Sequence, residues 1–176
     1  MFHLGTDTRF APQNLFTLVF AGSEHRVSFD RQDSNAVLRR VAGANGSRRV
    51  YLDTPIHTVA LAEDSIFYGD SSIEFLVPNL HTARFMGSLE NLREIHNGNV
   101  YIDGNLVLTQ QTSSIGNDTT IIVNGNVRVH RDLRLSNPTS RLSIRGNLHN
   151  GVDAGVASSI SASANGALLD LQGDYI

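Results

Sequence analysis

Val100-Tyr101-Ile102-Asp103-Gly104-Asn105-Leu106 sets the pattern of this chain, and three later segments repeat it. They are Ile121-Ile122-Val123-Asn124-Gly125-Asn126-Val127, Leu142-Ser143-Ile144-Arg145-Gly146-Asn147-Leu148 and Leu169-Asp170-Leu171-Gln172-Gly173-Asp174-Tyr175. Two apolar residues two apart lead into Gly, then Asn or Asp, then another apolar residue. Gly104, Gly125 and Gly146 recur at two equal intervals, and Gly173 follows after a longer one. Apolar residues at every second position put one face of a strand inward. Gly followed by Asn or Asp marks a place where the chain bends sharply. A second short strand then follows, as in Leu106-Val107-Leu108 or Val127-Arg128-Val129. Strands this short bury a face only by stacking coil on coil.

The pattern therefore predicts an all-β fold. Residues 96–176 form a β-solenoid of about 21-residue coils. Residues 1–95 form a strand-rich amino-terminal cap or module, continuous with the solenoid from near residue 50 if the echoes at Val50-Tyr51-Leu52-Asp53 and Ile66-Phe67-Tyr68-Gly69-Asp70 belong to it. The alternative is a β-sandwich of ordinary hairpins, with Asn97-Gly98 and Asn124-Gly125 as tight turns. In the amino-terminal half, Asn14 to Phe20 and Arg26 to Phe29 read as a pair joined across Gly22-Ser23-Glu24-His25. Ala36 to Val41 and Arg48 to Leu52 flank a turn at Gly43-Ala44-Asn45-Gly46. Leu89 to Ile95 is the one plausible helical turn. In the solenoid reading Ile102, Val123, Ile144 and Leu171 are equivalent, inward and stacked. Gly104, Gly125 and Gly146 occupy corresponding corners that a Cβ would strain, and Asn105, Asn126 and Asn147 hydrogen-bond along the stack. Val152, Val156 and Ile160 are further candidates for the interior.

Composition narrows the chemistry. The 176 residues carry a net charge of −3, with 40% hydrophobic and 18% charged side chains, which is globular composition. There is no cysteine, so disulfides, Cys zinc sites and thiol nucleophiles are excluded. All 14 basic residues are arginine, which excludes Schiff-base lysine chemistry and a P-loop Lys. The best apolar run, Leu15 to Gly22, is far shorter than a membrane helix and has no basic segment before it, so neither a signal peptide nor a transmembrane segment is expected. Near-neutral charge, and arginines without interleaved aromatics, make nucleic acid an unlikely partner.

The segment from His96 to Leu148 resembles Gly-Asn-rich β-solenoid proteins. Asn97 to Leu106 and Ile122 to Val127 are similar to polymer-forming proteins of the bacterial bactofilin type. Gly146-Asn147-Leu148-His149-Asn150 is similar to filamentous-haemagglutinin-type adhesin repeats, and Leu89 to Leu106 looks like one repeat of a receptor L domain. What the resemblance implies is a scaffold, self-association and no cofactor.

No catalytic motif accompanies the repeat. The seven histidines lack metal-ligand spacing, so no metal site is expected. Asp53, Asp103 and Asp170 are read as occupying one template position, a carboxylate ladder interrupted by Asn124 and Arg145; exposed corner residues are the plainer reading. Asp64, Asp70 and Glu74 share a loop region. Arginine is the more informative residue. Arg128, Arg131, Arg134, Arg141 and Arg145 fall close together in the chain and offer a surface for an anionic partner, with a solubilising face as the plain alternative. The leading expectation is a non-enzymatic structural protein that assembles with itself or a larger surface or filament assembly, at the cell surface or in such an assembly. The alternatives are an adhesin or module binding acidic glycan, and then a polysaccharide lyase or hydrolase. An unpaired carboxy-terminal edge would either be continued by further chain or pair with another molecule.

Overall fold

The computed structural model describes residues 2–4, 17–20, 24–29, 40–43, 48–52, 56–61, 64–109, 112–151, 158–163 and 165–176, with side chains from residue 59 onward, Thr112 excepted. Asp53, Val152 and Val156 lie outside the described residues. All described elements are strands, and every described strand pair is parallel. A β-sandwich of hairpins is thereby excluded, because hairpins are antiparallel.

The chain winds through three faces in turn. Nine strands stack on the first face: Phe2–Leu4, Glu24–Phe29, Arg48–Leu52, Ser65–Tyr68, Thr82–Phe85, Gly98–Ile102, Thr119–Val123, Arg141–Ile144 and Leu168–Leu171. The second face stacks Leu89–Glu90, Leu106–Leu108, Val127–Val129 and Leu148–Asn150. The third stacks Ile56–Ala60, Glu94–Ile95, Thr112–Ile115, Asp132–Leu135 and Ser159–Ala162. Ser71–Val77 belongs to both, pairing with Leu89–Glu90 through its first half and with Glu94–Ile95 through its second. The result is a β-solenoid of about four turns over residues 59–150.

The inward columns are continuous. Phe67, Phe85, Ile102, Val123 and Ile144 lie in successive register positions, and all five are fully buried. Leu171 continues the column, but only half-buried, because no described coil covers it. Beside them run Ala83, Val100, Ile121 and Leu142, again fully buried. The Phe67 and Phe85 rings stack with centroids 4.7 Å apart, close to the ~4.8 Å spacing of neighbouring strands. Equal residues in register thus bring their rings into stacked contact. Ile160 also turns inward, in register with Leu133.

Three local expectations are corrected. Leu89 to Ile95 is not helical. It consists of two short strands, Leu89–Glu90 and Glu94–Ile95, with Asn91 between them at φ 62°. Leu89, Leu92 and Ile95 have helix-like spacing because the corner turns all three inward, where each is buried. Thr17–Phe20 does not pair with Glu24–Phe29; it pairs with Arg40–Gly43, while Glu24–Phe29 pairs with Phe2–Leu4 and Arg48–Leu52. Arg48–Leu52 likewise does not pair with Arg40–Gly43. In both cases the strands flanking a turn signal pair with other strands and not with each other; Gly22, Ser23, Ala44, Asn45 and Gly46 themselves lie outside the described residues.

Coil length also changes along the axis. Leu89 pairs with Leu106 on the second face, Glu94 with Ser114 on the third and Gly98 with Thr119 on the first. The sequence offset between partners grows from the first of these pairs to the second and only slightly from the second to the third. Most of the added length therefore enters at the corner between the second and third faces. Below that point Ser71–Val77 crosses the same place as one unbroken strand. The cross-section gains a corner at Asn91, and in the next coil the strands that flank it, Leu106–Leu108 and Thr112–Ile115, are longer.

Inward and outward positions on one strand should respond differently. Ile144→Ala should cost about 2–5 kcal/mol by chemical denaturation, as fully buried apolar side chains do, and Val123→Asp should prevent folding by placing an uncompensated charge in the core. Ile122→Ala, on the outward side of the same sheet, should cost clearly less than Ile144→Ala.

Candidate functional site

The corner between the first and second faces carries the Gly-Asn signature. Gly104 N–H donates to the Gly87 carbonyl at 3.1 Å, Gly125 N–H to Gly104 at 3.0 Å and Gly146 N–H to Gly125 at 3.2 Å. The glycines thus stack directly. They are not required by a positive φ, which none of the three has. They are required by close approach. A Cβ on Gly104 would lie 2.6 Å from the Gly87 carbonyl carbon, and one on Gly146 would lie 2.5 Å from the Gly125 oxygen. Backbone fills the space that a side chain would need.

The residue after each glycine builds a second ladder. The Asp70 carboxylate accepts the Ser88 N–H at 2.8 Å, and the Ser88 hydroxyl accepts the Asn105 N–H at 3.1 Å. Asn105 Oδ1 accepts from Asn126 N–H at 2.9 Å, Asn126 Oδ1 from Asn147 N–H at 2.8 Å and Asn147 Oδ1 from Asp174 N–H at 3.0 Å. The asparagines hydrogen-bond along the stack through their amides, as the sequence suggests, each side-chain oxygen taking a backbone donor one coil on. A backbone N–H is only a donor, so it fixes which end of each amide is oxygen. The NH2 groups of these asparagines are the ends left over.

Carboxylates elsewhere also span one coil to the next. Asp64 accepts the Thr82 N–H, Asp132 accepts the Ser159 N–H and hydroxyl, and Asp170 accepts the Ser143 hydroxyl. Asp103 receives Arg84 through two guanidinium nitrogens, the closest contact being 2.9 Å, and Asn124 Nδ2 at 2.8 Å. The expectation that Asp103 and Asp170 share a template position is corrected by the register. Asp170 pairs with Ser143, whereas Gln172 is the residue that follows the Arg145 position at the corner, donating its N–H to Ile144 as Arg145 does to Val123. The two carboxylates stand three coils apart.

The five arginines of the sequence cluster encircle the solenoid. Arg128 points outward on the second face and Arg134 outward on the third, both exposed. Arg131 sits at the corner between them and Arg145 at the corner from the first face to the second, again exposed. Arg141 opens a first-face strand and is half-buried. Its guanidinium donates to the carbonyls of Pro138, Ser140 and Gly166 at 2.8, 3.0 and 2.6 Å, tying one corner to the next coil. The stretch from Arg128 to Arg145 makes most of one coil, so its arginines surround the axis and do not share a surface.

The structure brings a different set together. Arg128 stands in register with His149 one coil on and with Val107 one coil back. These three, with Asn105, Leu106 and Asn126, line an open groove of about 200 Å3 beside the Gly-Asn corner. Neither His149 nor the asparagines stood out as partners of Arg128 in the sequence. The signal was the spacing of Arg128 and His149, which equals the Gly-Asn interval and so is one coil.

No described helix is long and apolar enough to cross a membrane. The chain matches no protein-family model, no curated protein and no solved structure. Its fold and its stacked corners place it among β-solenoid repeat proteins.

The two ladders should separate by mutation. Gly125→Ala should destabilise by about 1–3 kcal/mol, the usual penalty for overpacking, because the corner must open. Asn126→Ala should cost about 1 kcal/mol, one hydrogen bond. Equilibrium urea unfolding of both variants beside the parent checks the order.

Proposed function

We propose that this chain is a structural β-solenoid that associates with further copies of itself end to end, and that it is not a catalyst. The observation that carries the reading is the outer edge of the coil made by residues 159–176. Among the described residues no strand pairs with Leu168–Leu171 on the side away from Arg141–Ile144. Leu168 and Leu169 are 50% and 37% exposed there, and Tyr175 and Ile176 are each 61% exposed. The Asn ladder reaches Asp174, whose N–H donates to Asn147 Oδ1. Such an edge is a template for another strand.

Where further chain does not continue this edge, a second copy displaced along the axis fits it. The first-face sheet is parallel throughout, with Leu168–Leu171 at one edge and Phe2–Leu4 at the other. A copy stacked in the same direction presents the Phe2–Leu4 edge to the Leu168–Leu171 edge, and parallel pairing continues. Contacts of this head-to-tail kind do not close, and so build filaments. The use made of the carboxylates supports a structural over a hydrolytic role. Asp64, Asp70, Asp103, Asp132 and Asp170 each hold a neighbouring coil, while cleavage of a polysaccharide needs carboxylates gathered on one groove.

Light scattering across a concentration series and electron microscopy test this. The parent chain should grow into elongated particles with concentration, and Leu169→Asp should hold it at lower mass. A parent chain that stays a monomer at its highest concentration would contradict the proposal.

A further inference from the structure

The groove beside the Gly-Asn corner has a donor pattern that the assembly reading does not use. From it we infer that this groove is a binding site for an extended acidic polysaccharide, with the Arg128 guanidinium and His149 taking its carboxylates and the NH2 groups of Asn105 and Asn126 taking its neutral oxygens.

The argument begins with the asparagines. Each Oδ1 is engaged by the N–H of the coil above, so each amide is held in one orientation. The NH2 groups of Asn105 and Asn126 are thereby presented as a column of donors one coil apart, ~4.8 Å. Arg128 and His149 form a second column on the adjoining strands, in register and again one coil apart. Arg128 is exposed and makes no ion pair with a described residue. On this face the nearest carboxylate along the same column is Glu90, two coils back from Arg128 through Val107. The groove is therefore a two-column grid of donors with a local positive charge.

The shape selects among anionic ligands. The donors repeat along the axis and do not converge on one point, so a chain with regularly spaced acceptors satisfies them better than a single small anion. Bases of a nucleic acid would need aromatic or stacking surfaces, and the lining residues are Asn105, Leu106, Val107, Asn126, Arg128 and His149. A lipid surface would need protruding apolar side chains, whereas Leu106 is fully buried and Val107 half-buried. A uronic-acid polymer offers hydroxyl oxygens and carboxylates at a regular repeat along a linear chain.

Fluorescence anisotropy of a labelled oligogalacturonide with the full chain provides the test. Binding is expected, with weakening of roughly tenfold in Arg128→Gln, the size of one lost hydrogen bond to a charged group, and of similar size in Asn126→Asp, which replaces a donor by a charge of the glycan's own sign. Asn126→Asp keeps the Oδ1 that accepts the Asn147 N–H, as Asp70 does for Ser88. Its thermal midpoint should therefore stay near the parent's, which separates loss of the ligand from loss of the fold. Arg134→Gln, on the third face, should leave binding within about twofold. The inference is overturned if the oligogalacturonide does not bind, or if Arg134→Gln weakens it as much as Arg128→Gln. It is equally overturned if inorganic phosphate competes at matched charge, or if vesicles containing an anionic lipid bind the chain and the glycan does not.

Discussion

At the first corner of each coil, two backbones approach so closely that no side chain fits between them. Gly69, Gly87, Gly104, Gly125, Gly146 and Gly173 stack there, and a Cβ on any of the last five would press on the carbonyl group beneath. The absence of a side chain lets the corner keep the same spacing as the hydrogen-bonded strands, ~4.8 Å. Once the corners touch, the strands on either side have no freedom of register, and a slip of one residue would turn every inward side chain to solvent. The buried columns are the consequence: Phe67 to Ile144 on the first face, Leu89 to Leu148 on the second and Leu76 to Leu135 on the third. The Asn and Asp side chains then hold the backbone donors that the bend takes out of the strands, as buried or bent backbone requires.

This explains which parts of the fold could be read from sequence. From Gly98 to Gly146 coil length is constant, so Gly-Asn recurs at a fixed interval and Ile102, Val123 and Ile144 fall into place. Between Arg48 and Ile102 the coils are shorter, and Ser88 or Asp70 takes the place of Asn. Any oxygen acceptor of suitable reach serves the ladder, so the signature weakens while the physics stays the same. Leu89 to Ile95 misleads for a related reason. A corner residue with positive φ, Asn91, lets apolar residues three apart all face inward, which imitates a helix. The amino-terminal turn signals mislead because a Gly-rich bend does not say whether the next strand returns beside the last or leaves for another face.

The candidate site was less legible, because proximity along a solenoid chain means separation around its circumference. Arg128, Arg131 and Arg134 look like a patch when written in a line and lie on two faces and a corner when wound. Neighbours on a surface are one coil apart in sequence. Arg128 and His149 obey that rule, as do Asn105 and Asn126. Reading outward residues at the coil interval would have assembled the groove, but this requires the coil length first. The misplacement of Asp170 has the same origin: a small error in template position moves a carboxylate along its strand, and only the pairing with Ser143 reveals it.

The parallel, one-coil register is the claim on which the columns, the ladders and the groove all rest. The chain contains no cysteine, so an engineered pair has no competitor. Tyr101 and Ile122 are outward neighbours in register on the first face, and Ser143 follows Ile122 one coil further on. Mass spectrometry after mild oxidation should find a disulfide in Tyr101→Cys/Ile122→Cys, whose Cα atoms lie at strand spacing, within reach of the bond. It should find none in Tyr101→Cys/Ser143→Cys, separated by two coils. Cross-linking of the second pair in preference to the first would contradict the register and the account built on it.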